Sequence, residues 1–219
     1  MNIVFDLDGT LVDTAPDLHA AVNRMLVEEG LAPLDLPTVT SFIGNGLPKL
    51  VERVMAARGL PKTRFPQIFD TVRDFYNAAP ATHSRPMPGV VALLEKLRAA
   101  GHGLGVCTNK PEKPTLLILS LLRLDGYFTS VVGGDTLPEK KPHPAPLRLA
   151  FERLGEGPRL YVGDSEIDAE AALAVGVPFA IYEHGYRKQA IEGLPHDFRF
   201  ADFEALAGVV DGFEAASEA

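Results

Sequence analysis

The chain is expected to fold as an α/β protein, a parallel sheet flanked by helices and interrupted after its first strand by an all-helical unit. Three observations lead there. From residue 88 onward, short apolar runs alternate with helix-length amphipathic stretches, the order that builds right-handed βαβ crossovers. One further apolar run, Asn2 to Phe5, opens the chain; a lone strand is not stable beside helices, so it belongs with the later ones. Between roughly Thr14 and Pro80 no strand pattern occurs.

The elements follow in order. The opening run enters a turn at Asp6-Leu7-Asp8-Gly9-Thr10, as a buried strand does. Leu18, Val22, Met25 and Leu26 share one helical face, and Gly30 is placed to end that helix. Leu47, Leu50, Val51, Val54 and Met55 mark a second helix that closes near Gly59. Phe65, Ile68, Phe69, Val72, Phe75 and Tyr76 mark a third. Beyond Pro88, Val90, Leu94 and Leu97 form a helix stopped by Gly101, and Leu104 to Cys107 a strand. A helix over Leu116–Leu122 precedes a strand over Ser130–Val132, and Leu147 to Leu154 make a helix ending at Gly155. Strand Leu160–Val162, helix Ala169–Val175 and strand Phe179–Tyr182 complete the alternation. The core is thus assigned to residues 1–13 and 81–219 and the helical unit to 14–80, with proline-rich hinges near Pro16 and from Pro80 to Pro88. The tail after Asp211 is expected to be loosely ordered.

The 219 residues are 46% hydrophobic and 23% charged, enough to bury a core without staples. A net charge of −8 and a pI near 5.2 argue against a nucleic-acid or anionic-membrane surface. No run approaches the ~20 apolar residues of a membrane span. The N-terminus lacks a basic segment, so no signal peptide is expected. Cys107 is the single cysteine, which excludes an intramolecular disulfide. The expected compartment is the cytoplasm; the oligomeric state is left open.

In an open parallel sheet, ligands bind beyond the carboxyl ends of the strands. Those ends carry Asp6 and Asp8, then Thr108-Asn109-Lys110, then Gly133-Gly134-Asp135 leading to Lys140-Lys141-Pro142, then Gly163-Asp164-Ser165 with Asp168 following. Carboxylates about 4 Å apart repel by ~4 kcal/mol at an effective dielectric of about 20. Such a cluster calls for a divalent cation or for one protonated member. Oxygen ligands without nearby His or Cys favour Mg²⁺ over zinc. A carboxylate can attack phosphorus to form an aspartyl-phosphate, and a second can serve as acid and base. Thr108, Lys141 and N–H groups near Asn109 are the candidates for binding phosphoryl oxygens. Asp6-x-Asp8-Gly9 is not a calcium loop, because the required Gly and Glu positions hold Leu11 and Asp17.

Asp6-Leu7-Asp8-Gly9-Thr10-Leu11-Val12-Asp13, Thr108-Asn109, Lys141-Pro142 and Gly163-Asp164-Ser165-Glu166-Ile167-Asp168 resemble the four motifs of the haloacid dehalogenase superfamily, in order across the whole core. The resemblance implies a Rossmann-like core with an inserted helical cap. It implies Asp6 as nucleophile and metal ligand, and Asp8 as general acid/base with its backbone carbonyl on Mg²⁺. Thr108, Asn109 and Lys141 would form the phosphoryl site, Asp164 would complete the metal site, and Asp168 would support it. Lys141 is preferred to Lys140 because the family's lysine directly precedes the proline. Ser41-Phe42-Ile43-Gly44-Asn45-Gly46, Cys107-Thr108-Asn109-Lys110-Pro111 and Lys140-Lys141-Pro142-His143-Pro144-Ala145-Pro146 are most similar to phosphoglycolate phosphatases. The expected activity is therefore Mg²⁺-dependent hydrolysis of a small phosphate ester, 2-phosphoglycolate first. The alternatives are a phosphomutase of the β-phosphoglucomutase type and, from another class, a phospho-accepting receiver. Gly44-Asn45-Gly46 would be a substrate-facing loop of the cap, with Lys49 and Arg53 as candidate partners of a substrate carboxylate or as a solvated face.

Overall fold

A computed structural model of the chain describes residues 1–217. They form two units, Met1–Val12 with the residues from Pro86 onward, and Asp13–Arg85. In the first, strands β1 (Asn2–Phe5), β4 (Gly103–Cys107), β5 (Ser130–Val132), β6 (Arg159–Gly163), β7 (Phe179–Tyr182) and β8 (Phe198–Phe200) make one sheet in the order β5-β4-β1-β6-β7-β8. Every pairing is parallel. The helices between them are α5 (Val90–Ala99), α6 (Glu112–Leu121), α7 (Pro144–Glu152) and α8 (Glu166–Val175), and α9 (Phe203–Ser217) follows β8. This is the Rossmann-like core, with β1 at its centre.

The register sets the level of the site. Phe5 pairs with Val106 on one side and Val162 on the other. The Asp6 N–H continues the ladder onto the Val162 carbonyl at 2.9 Å, and the Thr108 N–H onto Val132 at 3.0 Å. Asp6, Thr108 and Asp164 therefore leave the sheet at adjacent strand ends. Alternation along the strands sends Val4 and Tyr161 to the face that α7 and α8 cover, where Leu147, Phe151, Ala172 and Phe179 close the core.

The second unit holds α1 (Ala15–Glu28), α2 (Leu36–Phe42), α3 (Gly46–Ala57) and α4 (Phe65–Ala78). Leu18, Val22, Met25 and Leu26 of α1 are buried, as are Leu50, Val51, Val54 and Met55 of α3 and Ile68, Val72 and Tyr76 of α4. Phe65, Phe69 and Phe75 are only half-buried; Arg73 and Arg24 lie over the rings of Phe69 and Phe75. The return segment ends at Arg85, later than the expected 80. Asp17 is the reason: its carboxylate accepts from the N–H groups of His83 (2.9 Å) and Ser84 (2.8 Å) and from the Ser84 hydroxyl (2.6 Å). Two short strands, β2 (Val12–Asp13) and β3 (Arg85–Pro86), pair where the chain leaves and re-enters the core.

Three differences from expectation stand out. Helix α2 and strand β8 are absent from the expected elements. The tail expected to be loose is helical through Ser217, because Leu206, Ala207 and Val210 bury one face of α9; residues 218–219 lie outside the described residues. No described helix is long and apolar enough to cross a membrane.

Candidate active site

The turn after β1 is closed by its own backbone. The Leu7 carbonyl accepts from Leu11 (3.0 Å) and Val12 (2.9 Å), and the Gly9 N–H reaches the Val12 carbonyl at 2.9 Å. Gly9 sits at φ +89°, and a Cβ there would lie 2.8 Å from both Asp164 Oδ2 and the Tyr186 ring. Only glycine satisfies both demands. The turn thereby delivers Asp6 and Asp8 to the sheet edge, with Asp6 9% exposed.

Around Asp6 the structure gathers Lys141, Asp164 and Asp168, all buried. One oxygen each of Asp6, Asp164 and Asp168 lies within 4.8 Å of the others. Lys141 Nζ is 3.0 Å from Asp6 Oδ1 and donates at 2.7 Å to Asp168 Oδ1 and to the Tyr161 hydroxyl. Tyr161 in turn donates to Asp168 Oδ1 at 2.7 Å. Asp168 Oδ2 accepts from the Ser165 N–H (3.1 Å) and hydroxyl (2.6 Å) at the start of α8. Asp164 takes the Thr10 hydroxyl on Oδ1 and the Tyr186 N–H on Oδ2, both at 2.6 Å. It does not cap α8; Ser165 does.

Thr108 is buried, and its Oγ1 accepts the Lys110 N–H at 3.2 Å. Asn109 donates from Nδ2 to the Lys141 carbonyl at 2.9 Å, tying the loop before Pro142 to the end of β4. Lys141 is 4% exposed, whereas Lys140 is exposed. The Asp8 carboxylate stands apart from the three-aspartate group. It receives Lys110 Nζ at 2.9 Å on Oδ1 and 3.2 Å on Oδ2. Lys110, Tyr161, Thr10 and the Tyr186 N–H were not singled out from the sequence. Tyr161 reads as a core residue inside an apolar strand, and Lys110 reads as one of the polar residues at the end of β4. Thr10 and Lys110 both lie inside recognised motifs, without a role of their own.

The electrostatics follow from burial. The Asp6 carboxyl is pushed up to about 7, chiefly by burial, with Lys141 opposing and Asp168 and Asp8 adding to the rise. Burial also holds Asp164 well above the usual range, with Asp168 and Asp6 adding to it and the Thr10 and Tyr186 hydrogen bonds opposing. Asp168 is buried too, yet Lys141 holds it below the usual range. Burial alone would lower Lys141, but Asp168 and Asp6 outweigh it and raise its pKa. Burial lifts the Cys107 thiol to about 12, so it is a packing residue rather than a thiolate.

Four carboxylates thus share two ammonium groups. Asp6 Oδ1 makes the ion pair with Lys141 but no hydrogen bond. An all-oxygen, buried donor set with excess negative charge fits a hard divalent cation.

The family model described as haloacid dehalogenase-like hydrolase matches residues 3–182. The chain belongs to the haloacid dehalogenase-like hydrolases. Among relatives, a phosphoglycolate phosphatase of Cereibacter sphaeroides is 48% identical over 93% of this chain and 94% of its own length. One of Aquifex aeolicus is 40% identical over 85% and 86%. The crystal structure of a predicted phosphoglycolate phosphatase from Haemophilus somnus 129PT superposes with a TM-score of 0.89 at 34% identity, covering 95% of this chain and 97% of that one. As a haloacid dehalogenase-like hydrolase similar to these relatives, the chain is an enzyme, a phosphoric monoester hydrolase.

Within its helical unit, Gly44, Asn45 and Gly46 all have positive φ (116°, 64° and 81°), a turn that glycine and asparagine adopt readily. Arg53 donates to the carbonyls of Phe42 (2.6 Å) and Gly44 (3.1 Å), and Lys49 pairs with Glu52 at 2.6 Å on an exposed face. Arg53 therefore braces the loop, and Lys49 is on an exposed face.

Proposed function

We propose that this hydrolase is a Mg²⁺-dependent phosphatase that converts 2-phosphoglycolate to glycolate and phosphate through an aspartyl-phosphate on Asp6. The observation that carries the reading is the assembly, at one sheet edge, of a buried carboxylate with a lysine 3.0 Å away and two further aspartates within 4.8 Å. In this reading an Asp6 oxygen attacks phosphorus as the bond to the substrate's alkoxide oxygen breaks. Asp8 gives that oxygen a proton and later takes one from the water that attacks the aspartyl-phosphate. The Thr108 hydroxyl, N–H groups around Asn109 and the Lys141 ammonium receive the phosphoryl oxygens, where charge builds in the transition state. Asp6, the Asp8 backbone carbonyl and Asp164 would hold Mg²⁺, with Asp168 supporting them through Lys141. The cation supplies charge neutralisation for an incoming dianion.

The choice of 2-phosphoglycolate rests on the names of the relatives, 40–48% identical over most of the chain. The test is phosphate release from a panel of small phosphate esters, in Mg²⁺ and in EDTA. Metal-dependent release, fastest from 2-phosphoglycolate, is expected. Interconversion of sugar phosphates with little free phosphate would replace hydrolysis by mutase chemistry, and no release from any ester would reject the reading.

A further inference from the structure

Lys141 faces Asp6 and Asp168, and Thr10 and the Tyr186 N–H hold Asp164, but Asp8 is oriented by a different lysine. Lys110 Nζ straddles its carboxylate, 2.9 Å from one oxygen and 3.2 Å from the other. The lysine is 7% exposed along its side chain and Asp8 21%, so the pair meets where solvent screens it little. Contact with both oxygens fixes the rotation of the carboxylate as well as its place.

The lysine itself is launched from a braced turn. Its N–H rests on Thr108 Oγ1 at 3.2 Å, and its carbonyl accepts the Gly134 N–H at 2.7 Å. The backbone of that turn meets the Gly133-Gly134 pair so closely that a Cβ on Gly134 would lie 2.2 Å from the Asn109 carbonyl oxygen. Asp8 starts from the equally closed Leu7–Val12 turn. Two rigid loops from neighbouring strands, β1 and β4, are thus joined by one ion pair. Lys141 points elsewhere, toward Asp168, Tyr161 and Asp6.

We infer that Lys110 is a positioning residue for the reaction: it sets where the Asp8 carboxyl points, and so makes proton delivery to the departing alkoxide efficient. The inference rests on the reading of Asp8 as the acid and base. In the step concerned, the Asp6–phosphorus bond forms, the bond between phosphorus and the ester oxygen breaks, and a proton goes to that oxygen from Asp8. Asp8 takes that proton up from solvent before the step, because it faces Lys110 as the carboxylate of an ion pair. A leaving group stable as an anion needs no proton. The effect of Lys110 must therefore depend on the leaving group, as neither a phosphoryl-binding role nor a folding role would.

The experiment measures kcat/KM of the full chain in saturating Mg²⁺, since kcat/KM reports the steps through leaving-group departure. It compares the alkyl phosphate cleaved fastest with the better of acetyl phosphate and p-nitrophenyl phosphate. Lys110→Met is expected to lose roughly tenfold or more on the alkyl ester and less than about threefold on the activated one. Lys110→Arg should recover part of the loss on the alkyl ester. Asp8→Asn, run alongside, should show the same selectivity with a larger loss. An equal loss on both substrates, or none, in Lys110→Met while Asp8→Asn is selective overturns the inference alone. An unselective Asp8→Asn overturns the assignment of Asp8, and the inference with it.

Discussion

Lys141 has three N–H donors, and Asp168, Tyr161 and Asp6 lie 2.7, 2.7 and 3.0 Å from its nitrogen. A buried lysine needs such partners, because an unpaired ammonium out of water is costly. Tyr161→Phe keeps the ring against Phe179 (centroids 5.7 Å apart) and removes only the hydroxyl. Unfolding free energy is expected to fall by about 1–2 kcal/mol, read from denaturant titration, because Lys141 and Asp168 each lose a hydrogen bond. Asp6→Asn should behave oppositely. Turnover is expected to drop by roughly a thousandfold or more, while the metal-free midpoint does not fall, since a buried charge is removed. A variant that keeps substantial phosphate release would refute Asp6 as nucleophile. Asp8, Asp164 and Lys141 were legible because each stands beside a glycine or proline beyond a strand, where a carboxylate or ammonium has no packing reason to be. Asp6 and Asp168 were legible from their spacing, two and four positions, to Asp8 and Asp164. Tyr161 was not legible as a site residue, and Lys110 was legible in place but not in role. Their roles come from neighbours 20 and 102 positions away, a distance that no local pattern spans.

At the scale of elements, strands β5 and β7 have the bounds read from their apolar runs, and α8 begins three residues before its first buried alanine because Ser165 caps it. The elements without a sequence pattern are short. Helix α2 has seven residues, Pro and two Thr among them, and buries only Val39. Strand β8 is Phe-Arg-Phe, too brief for alternation to register. The glycine pair after β5 was visible in the sequence, but its purpose was not. Gly134 does not need an unusual φ; it needs the absence of a side chain, because the Asn109 backbone occupies that space. Gly134→Ala is therefore expected to destabilise by ~2 kcal/mol or more, since backbone cannot yield as a side-chain tip does. Gly193→Ala, with nothing within 4 Å of the added carbon, should stay within about 0.5 kcal/mol. Equal, small effects at both positions would show that the β4 turn is looser than its geometry.

For the molecule as a whole, the acidic pocket couples folding to pH and to cation. Asp6 rises from 3.8 to about 7 on folding, chiefly through burial, and Asp164 moves the same way. Between those values the folded chain holds protons that the unfolded chain has released, so metal-free stability falls as pH rises through that window. The slope is at most about 1.4 kcal/mol per pH unit for each such group. Asp168 is shifted down; its contribution is present above 3.8 and lost only in stronger acid, so it does not cancel the trend. In EDTA the melting midpoint is expected to decline from pH 5 to pH 7.5, and Asp6→Asn should decline less. Added Mg²⁺ should flatten the profile, because a cation that binds the ionised carboxylates of the folded state stabilises it by mass action. A metal-free midpoint that rises over this range, or a slope unchanged in Asp6→Asn, would mean that the pocket keeps its carboxylates ionised without help, and the charge argument for a bound cation would fail with it.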